Sequence, residues 1–519
     1  MQIEYNESQL ENIGYCYSAT SYGAQVYPIQ VEAKSKPGKP IFQIIGLGDN
    51  AVRESKDRIT SALRASGFDV PDQILINLAP ADLKKTGSAL ELAIAVALLT
   101  SDGQMPHVGN SKWVFGELSL DGSIKPVKGI VGFVSDAALN GVSTVFTPVG
   151  NYKEASLIDR VQIIPVANIN DIKSYLLDGT IRSIEDQSEP LESAGKVFTG
   201  FSDVSGQEKA KYALEIAAAG GHNLLMVGPP GCGKSMLAER FNQYLPPLST
   251  EEKLECIRIT SLLGKPYESV MKGIPPYRSP HHVVSDVGLI GGGSEIRPGE
   301  ISLAHNGVLF LDEFPEFKKS VLDALRAPLE TGKVTITRAK GSATFPAKFQ
   351  LIAAMNACPC GKLQVTKTNC RCGRQEIVRY LKKLSQPILE RIDIQVNVSE
   401  IDFQDLSNQD VSTNYVNENE RSARIFSARE LQKQERKKLN CSLSFEEITQ
   451  LGLQDKGRIL LEAVAKDYNL SARSVVRLLR VARTVADLNQ SDEIKRLHIA
   501  NALQFRAVHD LWRYVESSS

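Results

Sequence analysis

The segment Gly228-Pro229-Pro230-Gly231-Cys232-Gly233-Lys234-Ser235 constrains this chain more than any other, because it fills the pattern GxxxxGK[ST] directly behind the apolar run Asn223-Leu224-Leu225-Met226-Val227. A strand that breaks into a glycine-rich turn and then a helix lets backbone N–H groups close around phosphate oxygens. In that arrangement Gly228 to Gly233 form the cradle, Lys234 reaches the β and γ oxygens, and the Ser235 hydroxyl holds Mg²⁺. The stretch from Ser235 to Phe241 reads as the helix whose positive end faces the anion. The pattern predicts a nucleoside triphosphate site, for ATP or GTP, within an α/β domain.

The second half of such a site is expected downstream. Gly307-Val308-Leu309-Phe310-Leu311 is a buried-strand pattern that ends in Asp312 and Glu313. Hydrolysis needs two carboxylates with separate tasks, so Asp312 is expected to hold Mg²⁺ and Glu313 to polarise the attacking water. A third strand, Phe349 to Met355, ends in Asn356, whose amide is placed to orient that water. The order of phosphate loop, Asp-Glu strand and strand ending in Asn resembles the AAA+ ATPases.

With 519 residues the chain has room for about three domains. Lys+Arg and Asp+Glu both number 60, so any nucleic-acid surface must be a local patch rather than a global field. The start, Met1-Gln2-Ile3-Glu4-Tyr5-Asn6, lacks the basic and apolar regions of a secretion signal. The longest apolar stretch, Ala89 to Leu99, is too short to span a membrane and contains Glu91. A cytoplasmic protein without membrane contact is expected. Of eight cysteines, four are clustered, which does not suit a secreted disulfide framework. Polar, aperiodic stretches at 181–198 and 401–420 read as linkers. They separate an N-terminal domain (1–180), an ATPase core (199–400) and a segment of helical periodicity (421–519).

Within the N-terminal part, Gly116 to Val127 resembles the strand-turn-strand of the Lon-protease-like domain, which has the α+β fold of the ribosomal S5 domain 2-like class, and Lys85 to Ala95 resembles the segment that carries its nucleophile. On that pattern the serine position falls at Ala89 and the general-base lysine position at Val131. Neither side chain supplies the hydroxyl or the amine, which argues against peptidase activity. Ser88 and Lys128 lie one and three residues away in sequence. A shift of register is needed to bring either into place.

Over its whole length the chain resembles the Mg-chelatase-like AAA+ family of competence-protein (ComM) type. The resemblance is carried by Tyr277-Arg278-Ser279-Pro280-His281-His282, by Arg297 to Phe314, by Gly46 to Ser55 and by Met355 to Gly361. It implies a Lon-like N-terminal domain, a central AAA+ P-loop domain and a C-terminal helical lid. It also implies a bacterial hexameric ATP-dependent helicase that drives DNA branch migration during natural transformation, with ATP sites between subunits. A magnesium-chelatase-like protein-remodelling ATPase is the alternative.

Ser235 and Asp312 are 77 residues apart, which leaves room for an insertion whose turn is the Gly-rich Leu289 to Arg297. Lys333 to Phe345 alternates apolar and polar residues around Lys340-Gly341, a hairpin signature. The family resemblance places both hairpins in a central pore. Arg297, Arg338 and Lys340 are then the residues expected on the phosphates of single-stranded and branched DNA. Ser385 to Asp393 resembles the finger motif of the family and nominates Arg391, acting on a neighbouring subunit's nucleotide. Arg473 matches the lid arginine that senses the γ-phosphate, whereas Arg477 and Arg480 read as a solvated basic face. Cys358, Cys360, Cys370 and Cys372 form a C-x-C-x9-C-x-C pattern, four thiols suited to a closed structural Zn²⁺ site. His281, His282 and His305 are expected to support the fold.

Overall fold

The computed structural model of the chain describes residues 13–85, 87–182, 198–293, 296–338, 341–363, 370–399, 411–468, 470–509 and 511–512. Most of the expected linker at 181–198 and residues 401–410 of the one at 401–420 therefore lie outside the described residues, as does Lys340. Two compact units form. The first takes residues up to 192 together with 253–268 and 337–344, and the second takes the remainder.

In the first unit, β1 (Gly14–Tyr22) and β2 (Gln25–Lys36) pair as an antiparallel hairpin through the turn at Gly23, which has φ +64°. β3 (Ile41–Ile45) is followed by α1 (Asn50–Ala65), whose first turn is capped by the Asp49 carboxylate accepting the Val52 N–H at 3.0 Å. β4 (Gln73–Ala79) and α2 (Glu91–Ser101) come next, then β5 (Lys112–Val114) and the small hairpin of β6 (Glu117–Leu118) with β7 (Ile124–Lys125). α3 (Ile130–Leu139), β8 (Thr144–Pro148), β9 (Gln162–Val166) and α4 (Ile169–Asp178) complete it. Seven of these strands make one mixed sheet in the order β3-β4-β2-β1-β5-β8-β9.

The apolar stretch that ends at Leu99 proves to be the core of that unit. α2 is apolar on every side because every side is covered: residues Glu91 to Thr100 are all buried. Its one acid, Glu91, is held by Arg58 Nε at 3.0 Å and by the Leu118 N–H at 2.9 Å, and burial still pushes its carboxyl above the ordinary range. Gly14 lets β1 approach α2, since a Cβ there would collide with the Ala97 carbonyl oxygen. Residues 253–268 belong to the same unit: Gly129 N–H donates to the Ser261 carbonyl at 3.1 Å, and the Ser261 hydroxyl donates to Glu154 at 3.2 Å.

In the second unit, α5 (Glu208–Gly220) leads into β10 (Leu224–Val227), the phosphate loop and α6 (Lys234–Phe241). β11 (Tyr277–Arg278), the short pair β12 (Gly291–Gly292) and β13 (Arg297–Pro298), β14 (Gly307–Leu311), the hairpin β15 (Lys333–Arg338) and β16 (Gly341–Pro346), whose residues 337–338 and 341–344 group with the first unit, β17 (Phe349–Met355), α7 (Arg374–Leu381) and β18 (Ile394–Asn397) follow. Five of these strands form a wholly parallel sheet in the order β11-β14-β17-β10-β18. Both faces of a parallel sheet need cover, and Leu224, Leu225, Met226 and Val227 are each 0% exposed. Such a side chain contributes about 1.5–3 kcal/mol by leaving water.

The C-terminal helices are α8 (Val411–Leu431), α9 (Asp455–Asp467), α10 (Ala472–Leu488) and α11 (Arg496–Leu503). α8 starts at Val411, so half of the stretch expected as a linker is helical. Further along α8, Arg421 and Arg424 both reach the buried Glu215 of α5, at 3.3 and 2.8 Å, and Ile425 and Ala428 join the core. Among the described residues no helix is long and apolar enough to cross a membrane.

Gly14→Ala is expected to destabilise the first unit by about 1–3 kcal/mol, the ordinary cost of overpacking, because the new Cβ meets backbone rather than a movable side chain. Denaturant unfolding followed by intrinsic fluorescence measures this; an unchanged midpoint would show that the β1–α2 approach is looser than described.

Candidate nucleotide site and cysteine cluster

Three strands of the parallel sheet end at one place, because β10 lies directly between β17 and β18 and beside β17 lies β14. Ligand sites of open α/β sheets form outside such carboxyl ends. The loop after β10 folds as the sequence predicts, with Gly231 and Gly233 at φ +77° and +90°, conformations that a residue with a Cβ rarely adopts. Lys234 is buried at the head of α6. Its ammonium donates to the carbonyls of Gly228 at 2.8 Å and Pro229 at 2.6 Å, and to Asn356 Oδ1 at 3.3 Å. The Ser235 hydroxyl donates to Asp312 Oδ2 at 2.6 Å. A hydroxyl and a carboxylate oxygen converging in this way fit the hard, oxygen-seeking Mg²⁺ ion.

Glu313 stands apart from this pair. Its backbone adopts φ +51°, an uncommon conformation for a residue with a side chain and one that costs about 1–2 kcal/mol. The carboxylate meets His282 Nδ1 at 2.9 Å. His282 is set in turn by edge contact with the Phe317 ring and by the His281 ring at 4.2 Å. The expectation that His282 only supports the fold is therefore corrected: it touches the candidate catalytic carboxylate. His305 behaves as expected, buried and accepting the Lys348 N–H at 3.0 Å. The signal for His282 lay in its place a few residues after β11, the neighbour of β14, which is legible only once the strand order is known.

The other sequence-derived residues fall outside this cluster. Arg391 donates to the Arg326 carbonyl at 3.2 Å and the Pro387 carbonyl at 2.5 Å and pairs with Glu330. Arg473, 80% exposed at the start of α10, lies 3.6 Å from Glu390, the residue before Arg391. Arg477 and Arg480 are not a solvated basic face. Arg477 donates to the carbonyls of Leu389 and Ile392 at 3.0 and 3.1 Å, and Arg480 to that of Leu443 at 2.7 Å, so both satisfy backbone acceptors outside helices and strands or at a helix end. Burial lowers the Arg477 guanidinium below its ordinary range. Arg297 and Arg338 are exposed, the first in the second unit and the second in the segment grouped with the first unit.

Comparison with known proteins matches three family models in succession: subunit ChlI of Mg-chelatase over 31–151, magnesium chelatase subunit ChlI over 200–406, and its C-terminal part over 417–506. The chain is 38% identical over 509 residues to the competence protein ComM of Haemophilus influenzae, covering 96% of this chain and 98% of that one. It is 39% identical over 510 residues to the uncharacterized protein YifB of Escherichia coli K12, with the same shares covered. A weaker likeness, 26% over 162 residues, links 30% of the chain to 25% of an archaeal Lon protease of Methanothermobacter thermautotrophicus. The chain belongs to the magnesium chelatase family of AAA+ ATPases.

This magnesium chelatase family chain carries its four clustered cysteines next to the nucleotide site. Cys358 follows the end of β17 and Cys372 precedes α7. All four sulfurs lie within 4.8 Å of one another, and Cys358, Cys360 and Cys370 are mutually 3.4–3.5 Å apart. Tetrahedral zinc with four sulfurs at ~2.3 Å implies sulfur separations of about 3.8 Å, so the cluster fits that ion. The Lys362 backbone N–H holds the Cys360 thiol down at about 6, the state a metal binds.

Two substitutions separate the roles assigned above. Lys234→Ala is expected to weaken ATP binding about 100-fold or more, the loss of a buried cation on phosphate. His282→Ala is expected to leave nucleotide affinity within twofold and to raise basal turnover several-fold, since Glu313 loses the partner that occupies its carboxylate. Titration with a fluorescent nucleotide and a phosphate-release assay read the two quantities. A loss of affinity in His282→Ala would contradict the assignment.

Proposed function

We propose that this chain is an ATP-driven DNA translocase, a hexameric helicase that promotes branch migration in homologous recombination during natural transformation. The observation that carries the reading is the convergence of Lys234, Ser235, Asp312 and Asn356, with Glu313 beside them, in a chain alike over 96% of its length to a protein named for competence. In the proposed reaction the loop and Lys234 bind the triphosphate of ATP. Ser235 and Asp312 would hold Mg²⁺, which would supply positive charge to offset that of the phosphates. Asn356 and Glu313 orient and polarise water for in-line attack on the γ-phosphorus.

Arg391 serves a neighbouring subunit's nucleotide in this reading, exchanging its bonds to Arg326, Pro387 and Glu330 for that contact. Arg473 senses the γ-phosphate from the lid. The helices from α8 onward form that lid, behind a core at 199–400. The N-terminal domain, 1–180, is Lon-like and without peptidase activity. Val131 is fully buried in α3, Ser88 is bonded to Glu117 and Lys128 is exposed, which supports the absence of a catalytic hydroxyl–amine pair. Arg338 on β15 and Arg297 on β13, with Lys340, grip the DNA backbone without reading sequence. The cluster Cys358, Cys360, Cys370 and Cys372 holds structural zinc, and the protein works in the cytoplasm.

A second reading, a protein-remodelling ATPase, is favoured by the chelatase subunit for which the matching family models are described. The two differ in their response to DNA. A three-stranded junction assay with ATP is expected to show displacement by the purified protein and none by Lys234→Ala or Glu313→Gln. Arg338→Ala is expected to weaken DNA binding several-fold and to reduce the slope of affinity against salt by about 1. ATP turnover indifferent to every DNA, with no displacement, would transfer the assignment to protein remodelling.

A further inference from the structure

The cysteine cluster is built from two arms, and both lead to the nucleotide site. In the first, β17 delivers Asn356 and then, two residues later, Cys358. Gly361 closes the turn with its N–H donating to the Cys358 carbonyl at 3.0 Å and with φ +75°. A Cβ at Gly361 would lie 2.6 Å from Pro230 Cδ and 3.8 Å from Asn356 Cγ. The cysteine turn therefore sits against the phosphate loop on one side and the Asn356 amide on the other. That amide accepts from Lys234 at 3.3 Å.

In the second arm, Cys370 and Cys372 run into α7, whose start is tied by the Gly373 N–H donating to Glu376 at 2.9 Å. Its far end returns to the same place. The buried Tyr380 hydroxyl oxygen accepts the Asn356 backbone N–H, and Lys383, just past the helix, pairs with Glu316 at 2.8 Å, three residues beyond Glu313. Two further N–H groups, of Leu363 and Cys372, point at sulfur at 3.4 Å each. These are the second contacts that orient metal ligands.

The geometry points to a positioning role: a zinc-class cation bound by Cys358, Cys360, Cys370 and Cys372 clamps the two arms together and so braces Pro230 and Asn356 in the form that binds nucleotide. This rests on the assignment of the phosphate loop as an ATP site. Without the ion the two arms lose the ligand they share, and the turn at Gly361 is free to leave Pro230. The clamp touches no reacting atom. Its effect is on affinity and on the placement of Asn356.

The test uses the full chain. Metal content of protein purified without chelator is measured first, then the ion is removed with a mercurial thiol reagent and chelator and replaced by Zn²⁺, Co²⁺ or Mg²⁺ alone. Binding of ATPγS with Mg²⁺ present is followed by calorimetry. Near one equivalent of zinc per chain is expected, and Co²⁺ should give the intense thiolate-to-metal absorption of a four-sulfur site. The stripped protein should bind ATPγS at least tenfold more weakly, with recovery on Zn²⁺ or Co²⁺ and none on Mg²⁺ alone. Gly361→Ala should keep its zinc and still lose about tenfold in affinity, which decides the matter if stripping unfolds the protein. Nucleotide affinity within twofold in both stripped protein and Gly361→Ala overturns the clamp, as does absence of both metal and the cobalt absorption. Lys234→Ala, assayed with its zinc in place, reads the ATP assignment separately: unchanged affinity there defeats the phosphate loop and not the metal site.

Discussion

The site depends on β10 being hydrogen-bonded along both edges. Leu224 to Val227 pair in register with Ile352 to Met355 of β17 on one side and Ile394 to Asn397 of β18 on the other. The pairing runs on past the strand ends: Gly228 N–H donates to Met355 at 3.1 Å and Val398 N–H to Val227 at 2.8 Å. Gly228 is required there, since a Cβ would strike the Val398 carbonyl oxygen. This register puts Asn356 within reach of Lys234. Because side chains alternate across a strand, a slip of one residue would turn Asn356 away and bring a different residue to the lysine. The phosphate loop is thus flexible in composition and fixed in place by the strands beside it.

Much of this was legible in the sequence because local chemistry alone demands it. The glycines at positive φ, the buried apolar strands ending in Asp312 and Asn356, and the alternation of Val334 and Ile336 with exposed neighbours each need only a short stretch of chain. What was not legible depends on partners distant in sequence. The segment before Glu420 is polar and lacks a clear apolar stripe, yet it continues α8, where Glu418 is buried and accepts the Phe201 N–H at 3.3 Å while Arg421, Arg424 and Arg429 further along find Glu215 and the Ala218 carbonyl on α5. Arg477 and Arg480 read as solvated because their spacing is that of an exposed helix face. The carbonyls that receive them come from residues about 85 positions and 37 positions away. His282 escaped for the same reason, since Glu313 meets it only through the adjacency of β11 and β14.

A buried polar chain shows how the second unit ties its two arginine-bearing elements to β10. His222, fully buried just before that strand, meets Asp393 at 2.9 Å through Nδ1 and the Thr484 hydroxyl at 2.8 Å through Nε2. Asp393 lies two residues after Arg391. Thr484 lies on α10, the helix that Arg473 opens, and is linked onward through Asn440 at 3.1 Å to Asp487, which also holds Arg436 and Arg483. Each bond to a charged group contributes about 1.5–3 kcal/mol, and removing one partner strands the others in a buried setting. The sheet end, the Arg391 loop and α10 thereby share one support. Loss of the Thr484 hydroxyl would leave the buried His222 imidazole with one partner, at a cost of about 1–3 kcal/mol. The same argument applies to Arg477, whose bonds to Leu389 and Ile392 straddle Arg391. The start of α10 at Arg473 and the loop of Arg391 are thus joined through backbone carbonyls and a histidine rather than through direct contact between the two arginines.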